Sequence, residues 1–421
     1  MSIIVLNLIL MVFSGCTPGN QKYRQLVNIP TQNALQVKKI VAYYYNQRDI
    51  DKLSLTAYVL DLLPYQFRLK YSVLSKFGDT IHLTAPISVD SLEILRHRSG
   101  YKLAIDTIHF INEFSADSII RQIEKNCELR KRFRWFKSIP INQYCEQVFP
   151  YAVNNEAFKD YKEPFQKRYL PNINDVLLDN LDTNAVLAEY LTPYFESRNN
   201  KESYINEFTS TLGYYDQKKG VEHIKDTEDA EILHVYALRA LGVPCTLEYT
   251  PYLEPFREGD SFVHIFDTKG SNYFKNKSRT IYANRVAKFY QIVSDPRKAK
   301  NPFVEIYRLG IPLQDIPLSL NIPKMIDITR ERTKTFRVVV PVPENQLANK
   351  ILYLATGHPG NWKIVSWSKI NLLNKTATFE NMGVNMSYQL TGYKNGIIDY
   401  INRPFVVEPS GRLQSMVIDG F

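Results

Sequence analysis

The stretch from Lys225 to Asp267, KDTEDAEILHVYALRALGVPCTLEYTP…GDSFVHIFD, constrains the fold most, because it passes once from helical to strand periodicity and carries its own stop signal. Ile232, Val235, Tyr236 and Leu238 or Ala240 recur at helical spacing. Asp226 or Thr227 is a residue type that caps a helix N-terminus, while Glu228 and Asp229 suit the positive end of the helix dipole. Gly242 and Pro244 follow in the order that ends a helix. The pattern predicts a buried helix over 228–241, a strand over Thr246–Tyr249, a polar loop over Thr250–Asp260 and a strand over Phe262–Phe266, closed by an Asp267-Thr268-Lys269-Gly270 turn.

This block resembles the core of the transglutaminase-like family as found in exported bacterial proteins, where a Gly-x-Cys-x-Asp step opens a helix ending in Arg-Ala-Leu-Gly-Ile-Pro. Here the step is Lys225-Asp226-Thr227-Glu228-Asp229, so Thr227 stands in the cysteine's place, and Asp260-Ser261-Phe262 stands where relatives carry His-Ser-Trp. Upstream, Ile141 to Tyr151 followed by Asn155-Glu156 is similar to the Phe-Cys-Glu-x-Val-Leu-Pro-Tyr-Arg segment that precedes such cores, with Ala152 in place of the arginine. Downstream, Asp327-Ile328-Thr329, Trp362 to Trp367 and Tyr393-Lys394-Asn395-Gly396 are similar to the sandwich domain that follows them. The likeness spans most of residues 130–421. It implies an α+β fold in which a papain/transglutaminase-like core over 141–325 is preceded by a mainly helical region over 21–140 and followed by an antiparallel β-sandwich over 333–421.

The two replacements decide what chemistry to expect. A cysteine at a helix N-terminus has its thiolate stabilised by the dipole and a nearby imidazolium, which makes it nucleophilic near neutral pH. A threonine hydroxyl needs a strong base within hydrogen-bond reach, and a carboxylate such as Asp260, with an ordinary pKa of about 3.9, is poorly matched to that task. Thr227 therefore reads as a helix cap without chemistry. Cys245 and His264 are the residues from which a displaced pair would have to be built. Cys245 sits in an apolar Val-Pro-Cys-Thr-Leu context that suits a buried thiol, and His264 shares strand parity with Phe262 and Phe266. His223 is a further candidate base, and Asn284 and Asp267 both stand at plausible distances for the residue that orients the histidine in relatives. We expect a protein that acts in binding or assembly with no cofactor and no metal; the alternative is a residual cysteine-protease-like or amide-transfer enzyme acting on peptides or glycopeptides.

The N-terminus supplies a compartment. Ile3 to Phe13 is an unbroken run of apolar or neutral residues, too short to span a bilayer but suited to an export signal, and Phe13-Ser14-Gly15-Cys16 resembles a bacterial lipobox whose cysteine is acylated. Residues 1–16 then form a lipoprotein signal, Cys16 is the attachment site, and the chain belongs to the cell envelope, anchored on the outer membrane. No Lys or Arg precedes the run and Phe13 is bulkier than the usual Leu, so an ordinary cleaved signal peptide or an incorrectly chosen start is the other option.

Composition bears on partners. The formal charge of +9 and the run Arg130-Lys131-Arg132-Phe133-Arg134-Trp135 invite a nucleic-acid interface, but export argues against it, and cations at the end of a helix beginning near Ser118 are expected on dipole grounds. We read that run as a solvated helix end. Aromatic residues make up 13% of the chain, which makes a glycan or peptide ligand the leading idea for a cleft without its nucleophile. Cys127, Cys145 and Cys245 follow no zinc spacing, and a Cys127–Cys145 disulfide is the one pairing weighed. Further helices are predicted over Val37–Gln47, Leu53–Phe67 and Ser118–Phe133, an extended stretch over Ile81–Ile87, and strands over 336–340, 350–354, 362–367, 376–379 and 387–390.

Overall fold

A computed structural model describes residues 33–74, 77, 80–82, 102–150, 152–153, 162–173, 227–253, 258–266, 271–272, 285–358 and 361–416. Cys16 with the signal 1–16, His223, Asp267 and Asn284 lie outside these residues, as does the predicted turn at 267–270. The described chain is α+β.

Two helices, α1 (Ala34–Tyr44) and α2 (Ile50–Leu62), open it. The Asp49 carboxylate caps α2 by accepting from the backbone N–H groups of Asp51 at 3.0 Å and Lys52 at 3.3 Å. The spacing predicts this helix as far as Phe67. It ends at Leu62 because Pro64 cannot continue it, and Phe67 instead begins β1 (Phe67–Leu74), which pairs antiparallel with β2 (Thr80–His82) and β3 (Lys102–His109).

The next helix, α3 (Ala116–Arg132), starts on a Ser115 cap and leads into the short helices α4 (Arg134–Ser138), α5 (Ile141–Gln147) and α6 (Glu163–Tyr169). Its basic end corrects the solvated reading. Arg130 is 5% exposed, pairs with Asp51 at 2.9 Å, donates to the carbonyls of Phe136 at 2.7 Å and Ile139 at 3.1 Å, and lies over the Tyr144 ring. Phe133, Trp135 and Phe136 are buried around it. The run is thus a joint that turns the chain from α3 into α5, with the guanidinium satisfying carbonyls that the turn leaves without helical partners. Lys131, Arg132 and Arg134, by contrast, are exposed, as the solvated reading expects, so only Arg130 and the aromatic residues depart from it.

The central unit comprises α7 (Thr227–Ala240) and the strands β4 (Cys245–Leu253), β5 (Glu258–Phe266), β6 (Ser271–Asn272) and β7 (Tyr290–Ile292), after which come helix α8 (Pro302–Arg308), strand β8 (Met325–Asp327) and the one-turn helix α9 (Thr329–Arg332). The strands form an antiparallel sheet in the order β6-β5-β4-β7-β8. Residues 232–240 of α7 are all buried, as befits a helix apolar around most of its circumference. One continuous apolar core joins Val37, Ile40 and Leu55 of the first helices, Ile123 of α3, Val235 and Leu238 of α7, and Leu247, Val263 and Ile292 of the sheet.

The chain ends in β9 (Thr335–Pro341), β10 (Ile351–His358), β11 (Asn361–Asn371), β12 (Thr376–Gly383), β13 (Ser387–Lys394), β14 (Ile397–Tyr400), β15 (Phe405–Val407) and β16 (Leu413–Ser415). Hydrogen bonding runs without a break through β16-β15-β13-β10-β11-β12-β9, with β14 beside β13, so these strands make one curled antiparallel sheet among the described residues. β11 supports the curl: Asn361–Ile364 and Ser366–Lys369 pair with β10 on either side of an irregularity at Val365, and only Ile370 and Asn371 pair with β12. Val338, Val340, Leu352, Leu354, Phe379, Tyr388 and Leu390 fill the inside. The curled sheet meets the central unit at Gly383, where a side chain would run into the Val286 carbonyl and where the backbone N–H donates to Ala287 O at 3.2 Å.

Candidate functional site

The end of α7 fixes how the chain enters the site. Gly242 N–H donates to Arg239 O at 3.1 Å and Val243 N–H to Leu238 O at 2.9 Å, a Schellman closure that requires the left-handed φ of +78° found at Gly242. Trp135 Nε1 caps the next carbonyl, Leu241 O, at 2.8 Å, and the Arg239 guanidinium holds Cys245 O at 2.9 and 3.1 Å. Cys245 is thereby placed as the first residue of β4, one register step from His264, which pairs with Thr246.

Strand alternation then separates the two. Cys245, Leu247, Val263 and Ile265 join the core that contains α7, and the Cys245 thiol points back to Val235 O at 3.6 Å. Phe262 packs on the opposite side with Leu253, Val286, Phe289 and Ile328. His264 and Asp260 share the parity of Phe262, so they belong to the face turned from α7. Cys245 and His264 are close along the hairpin but project from opposite faces of it. Burial pushes the Cys245 thiol up to about 12, with the Arg239 charge opposing, which leaves it protonated at neutral pH.

On the face of His264 the structure assembles a buried polar cluster. Arg332, delivered by α9, forks onto Glu248, with Nε at 3.1 Å from both carboxylate oxygens and Nη2 bonded to Oε1. Gln291 Nε2 also donates to Oε1, at 3.3 Å. Arg332 Nη2 lies 3.4 Å from His264 Nδ1, and Glu248 Oε1 lies 3.6 Å from the same nitrogen. Burial, and then the Arg332 charge, lower the His264 pKa to about 4. The imidazole is therefore neutral at pH 7, with Nδ1 turned to the guanidinium. Burial raises the Glu248 carboxyl above its ordinary range, against the pull of Arg332 and Gln291.

Asp260 is 9% exposed, and its Oδ1 accepts from the Ser261 backbone N–H at 2.9 Å. Thr227 is the first residue of α7; its side chain lies outside the described residues. Cys127 and Cys145 are free, buried thiols, each pushed up to about 12 by burial, so the disulfide weighed between them is not made. Among the described residues no group of three or more His, Cys, Asp or Glu side chains is placed to hold a metal ion, and no helix is long and apolar enough to cross a membrane.

Glu248, Arg332 and Gln291 are the members of the cluster that sequence reasoning missed. The only signal in the sequence was a glutamate inside an otherwise apolar strand, Cys245-Thr246-Leu247-Glu248-Tyr249, which needs a cationic partner if both strand faces are covered. Compared with known proteins, the chain matches no family model, no characterised protein and no solved structure.

Proposed function

We propose that the chain is a lipid-anchored, transglutaminase-like protein of the bacterial cell envelope, attached through Cys16 to the outer membrane, that has lost its catalytic pair and acts by binding a peptide or glycan or by holding an assembly together. The reading begins from Thr227 and Asp260, which stand where the resemblance has a cysteine and a histidine. One observation carries the rest. The thiol and imidazole from which a displaced pair would be built, Cys245 and His264, occupy opposite faces of one hairpin, and His264 Nδ1 is turned to the Arg332 guanidinium.

An imidazole held this way is a poor general base. To accept a proton at Nδ1 it would have to give up the guanidinium contact and place a second cation beside Arg332 in a buried site, which is the physical content of its lowered pKa. The buried Asp260 carboxylate, with a backbone N–H already on one oxygen, adds no stronger base.

The test is activity of the full chain on peptide amides and on amine donors, compared with Thr227→Ala, Cys245→Ala and His264→Ala variants. The expected result is no turnover in any of them and an undiminished affinity for whatever ligand the wild type binds. Hydrolysis or amide transfer that disappears with Cys245→Ala or His264→Ala would establish the residual enzyme instead. Attachment is read separately: a mass increase on Cys16 that Cys16→Ser abolishes supports the anchor, and a soluble chain cut elsewhere refutes it.

A further inference from the structure

One end of the curled sheet carries bare apolar side chains in a built setting. The turn between β11 and β12 presents Leu372 and Leu373, which are 64% and 91% exposed. The turn is well fixed. Asn371 Oδ1 accepts from the N–H groups of Leu373 at 3.1 Å and Asn374 at 3.2 Å, Lys375 closes the turn with a φ of +50°, and Lys375 O accepts from Val342 N–H at 2.8 Å.

A second turn ends at the same level. Lys369 pairs with Ile351, Tyr353 with Thr391, and Lys394 with Ile397, so the β11–β12 and β13–β14 turns leave the sheet in the same direction across neighbouring strands. With strands about 4.8 Å apart, the two tips stand on the order of 15 Å from each other. The Asn395-Gly396 turn has both residues at positive φ, 48° and 81°, the geometry of a tight hairpin, and sets Ile397 beside it at 71% exposure.

Charge around the tips includes Glu344, Asp315 and the exposed Asp399 of β14, and two of its lysines are left unpaired among the described residues. Lys369, Lys375 and Lys394 are exposed at this end. Glu344 is bonded to Lys375, and Asp315 accepts from Asn395 N–H at 2.9 Å, whereas Lys369 and Lys394 make no ion pair among the described residues. Leucine and isoleucine at the apex of convex turns with lysines behind them match one environment best. The boundary of an anionic bilayer accepts apolar tips below its headgroups and places phosphates at the height of the lysines.

We propose that this end of the curled sheet docks onto an anionic lipid surface, with Leu372, Leu373 and Ile397 entering the headgroup boundary and Lys369 and Lys394 resting on its phosphates. The contact does not depend on acylation of Cys16. Together with such an anchor it would supply the second of two weak membrane signals and orient the body on the bilayer, leaving the opposite end of the sheet facing outward.

The experiment is co-sedimentation of the full chain, carrying Cys16→Ser so that no lipid is attached, with vesicles rich in phosphatidylglycerol and with neutral phosphatidylcholine vesicles. We expect a preference for the anionic vesicles that salt weakens, a loss of at least about tenfold for Leu372→Ser/Leu373→Ser, and a loss of about fivefold for each of Lys369→Gln and Lys394→Gln. All three variants should melt with the wild type, because the side chains are exposed in a turn or near the ends of strands. Any contribution of the apolar N-terminus is common to all forms and cancels in the comparison. Equal binding of wild type and the double serine variant, or equal binding to both kinds of vesicle, overturns the proposal. So does a wild-type dimer in sedimentation velocity that the serine variant abolishes without any vesicle effect, since that assigns the tip to a second copy of the chain.

Discussion

The two faces of the β4–β5 hairpin are covered by different chemistry, although Phe262 adds an apolar contact to the polar face. Toward α7 the hairpin shows Cys245, Leu247, Val263 and Ile265, which ask only for matching volume. Away from it the hairpin shows Thr246, Glu248 and His264, all buried, which ask for specific partners. Thr246 Oγ1 finds Ile292 O at 2.8 Å, and Glu248 finds a guanidinium 84 residues further along the chain. An apolar face tolerates small sliding of its neighbour. A buried carboxylate accepts one fork in one place, so the polar face fixes where α9, and through it the start of the curled sheet, must sit.

Neighbouring residues in one strand let the two faces be broken separately. Glu248→Ala leaves the Arg332 guanidinium buried without its counter-charge and should cost about 3–5 kcal/mol. Leu247→Ala opens a cavity against α7 and should cost about 3 kcal/mol. Chemical denaturation measures both. The sharper distinction lies in rescue: Arg332→Met placed on Glu248→Ala should restore much of the loss by removing the stranded charge, while the same second change on Leu247→Ala should make matters worse. Additive losses in both backgrounds would show that the polar face is not specified by its ion pair.

The next test touches the polar face alone and uses pH. His264 has its pKa lowered to about 4 in the folded chain, against an ordinary value of about 6.5. Between those values the unfolded chain binds a proton that the folded chain refuses, so stability is full above about pH 6.5 and falls as pH drops toward 4. The loss amounts to at most about 3 kcal/mol. His264→Gln should be less stable than wild type at pH 7 and should lose less between pH 6.5 and 4. A parallel pair of stability curves would remove the buried imidazole from the account.

What the sequence made legible follows the same division. The helix over 228–241, found as Thr227–Ala240, was readable because Gly242 and Pro244 punctuate it, and the strands expected from 336, 350, 362, 376 and 387, found from Thr335, Ile351, Asn361, Thr376 and Ser387, were readable from their turns. The polar loop expected over Thr250–Asp260 was not. Thr250 and Tyr252 are buried strand residues, and Pro251 sits at the irregularity between Thr250 and Leu253 where a strand can take a proline. Pairing that depends on distant chain escapes periodicity in the same way. Arg332 belongs to Glu248, and Arg130 belongs to Asp51 and two carbonyls, but each reads in isolation as an ordinary surface cation. β1 and β3 were missed for a different reason. Phe67, Leu69, Tyr71 and Val73 do alternate, but they follow directly on a helical pattern whose end is marked only by Pro64.

The smallest expected effect returns to the apolar face at its entrance. Gly242 passes the chain from α7 into β4 with a left-handed φ of +78°, and a Cβ placed there would stand 2.9 Å from the Phe136 ring. Gly242→Ala therefore meets backbone strain and a packed aromatic together, and about 2 kcal/mol is a fair expectation. The strain is local to the turn, whereas the aromatic clash depends on Phe136, so Phe136→Leu should recover part of the loss in Gly242→Ala while costing stability on its own. Recovery would mean that the apolar face is set by the fit of α4 against the turn. If Phe136→Leu gives no recovery, the turn geometry alone sets the entry of β4, and the two faces of the hairpin are both fixed by single points rather than by surface area.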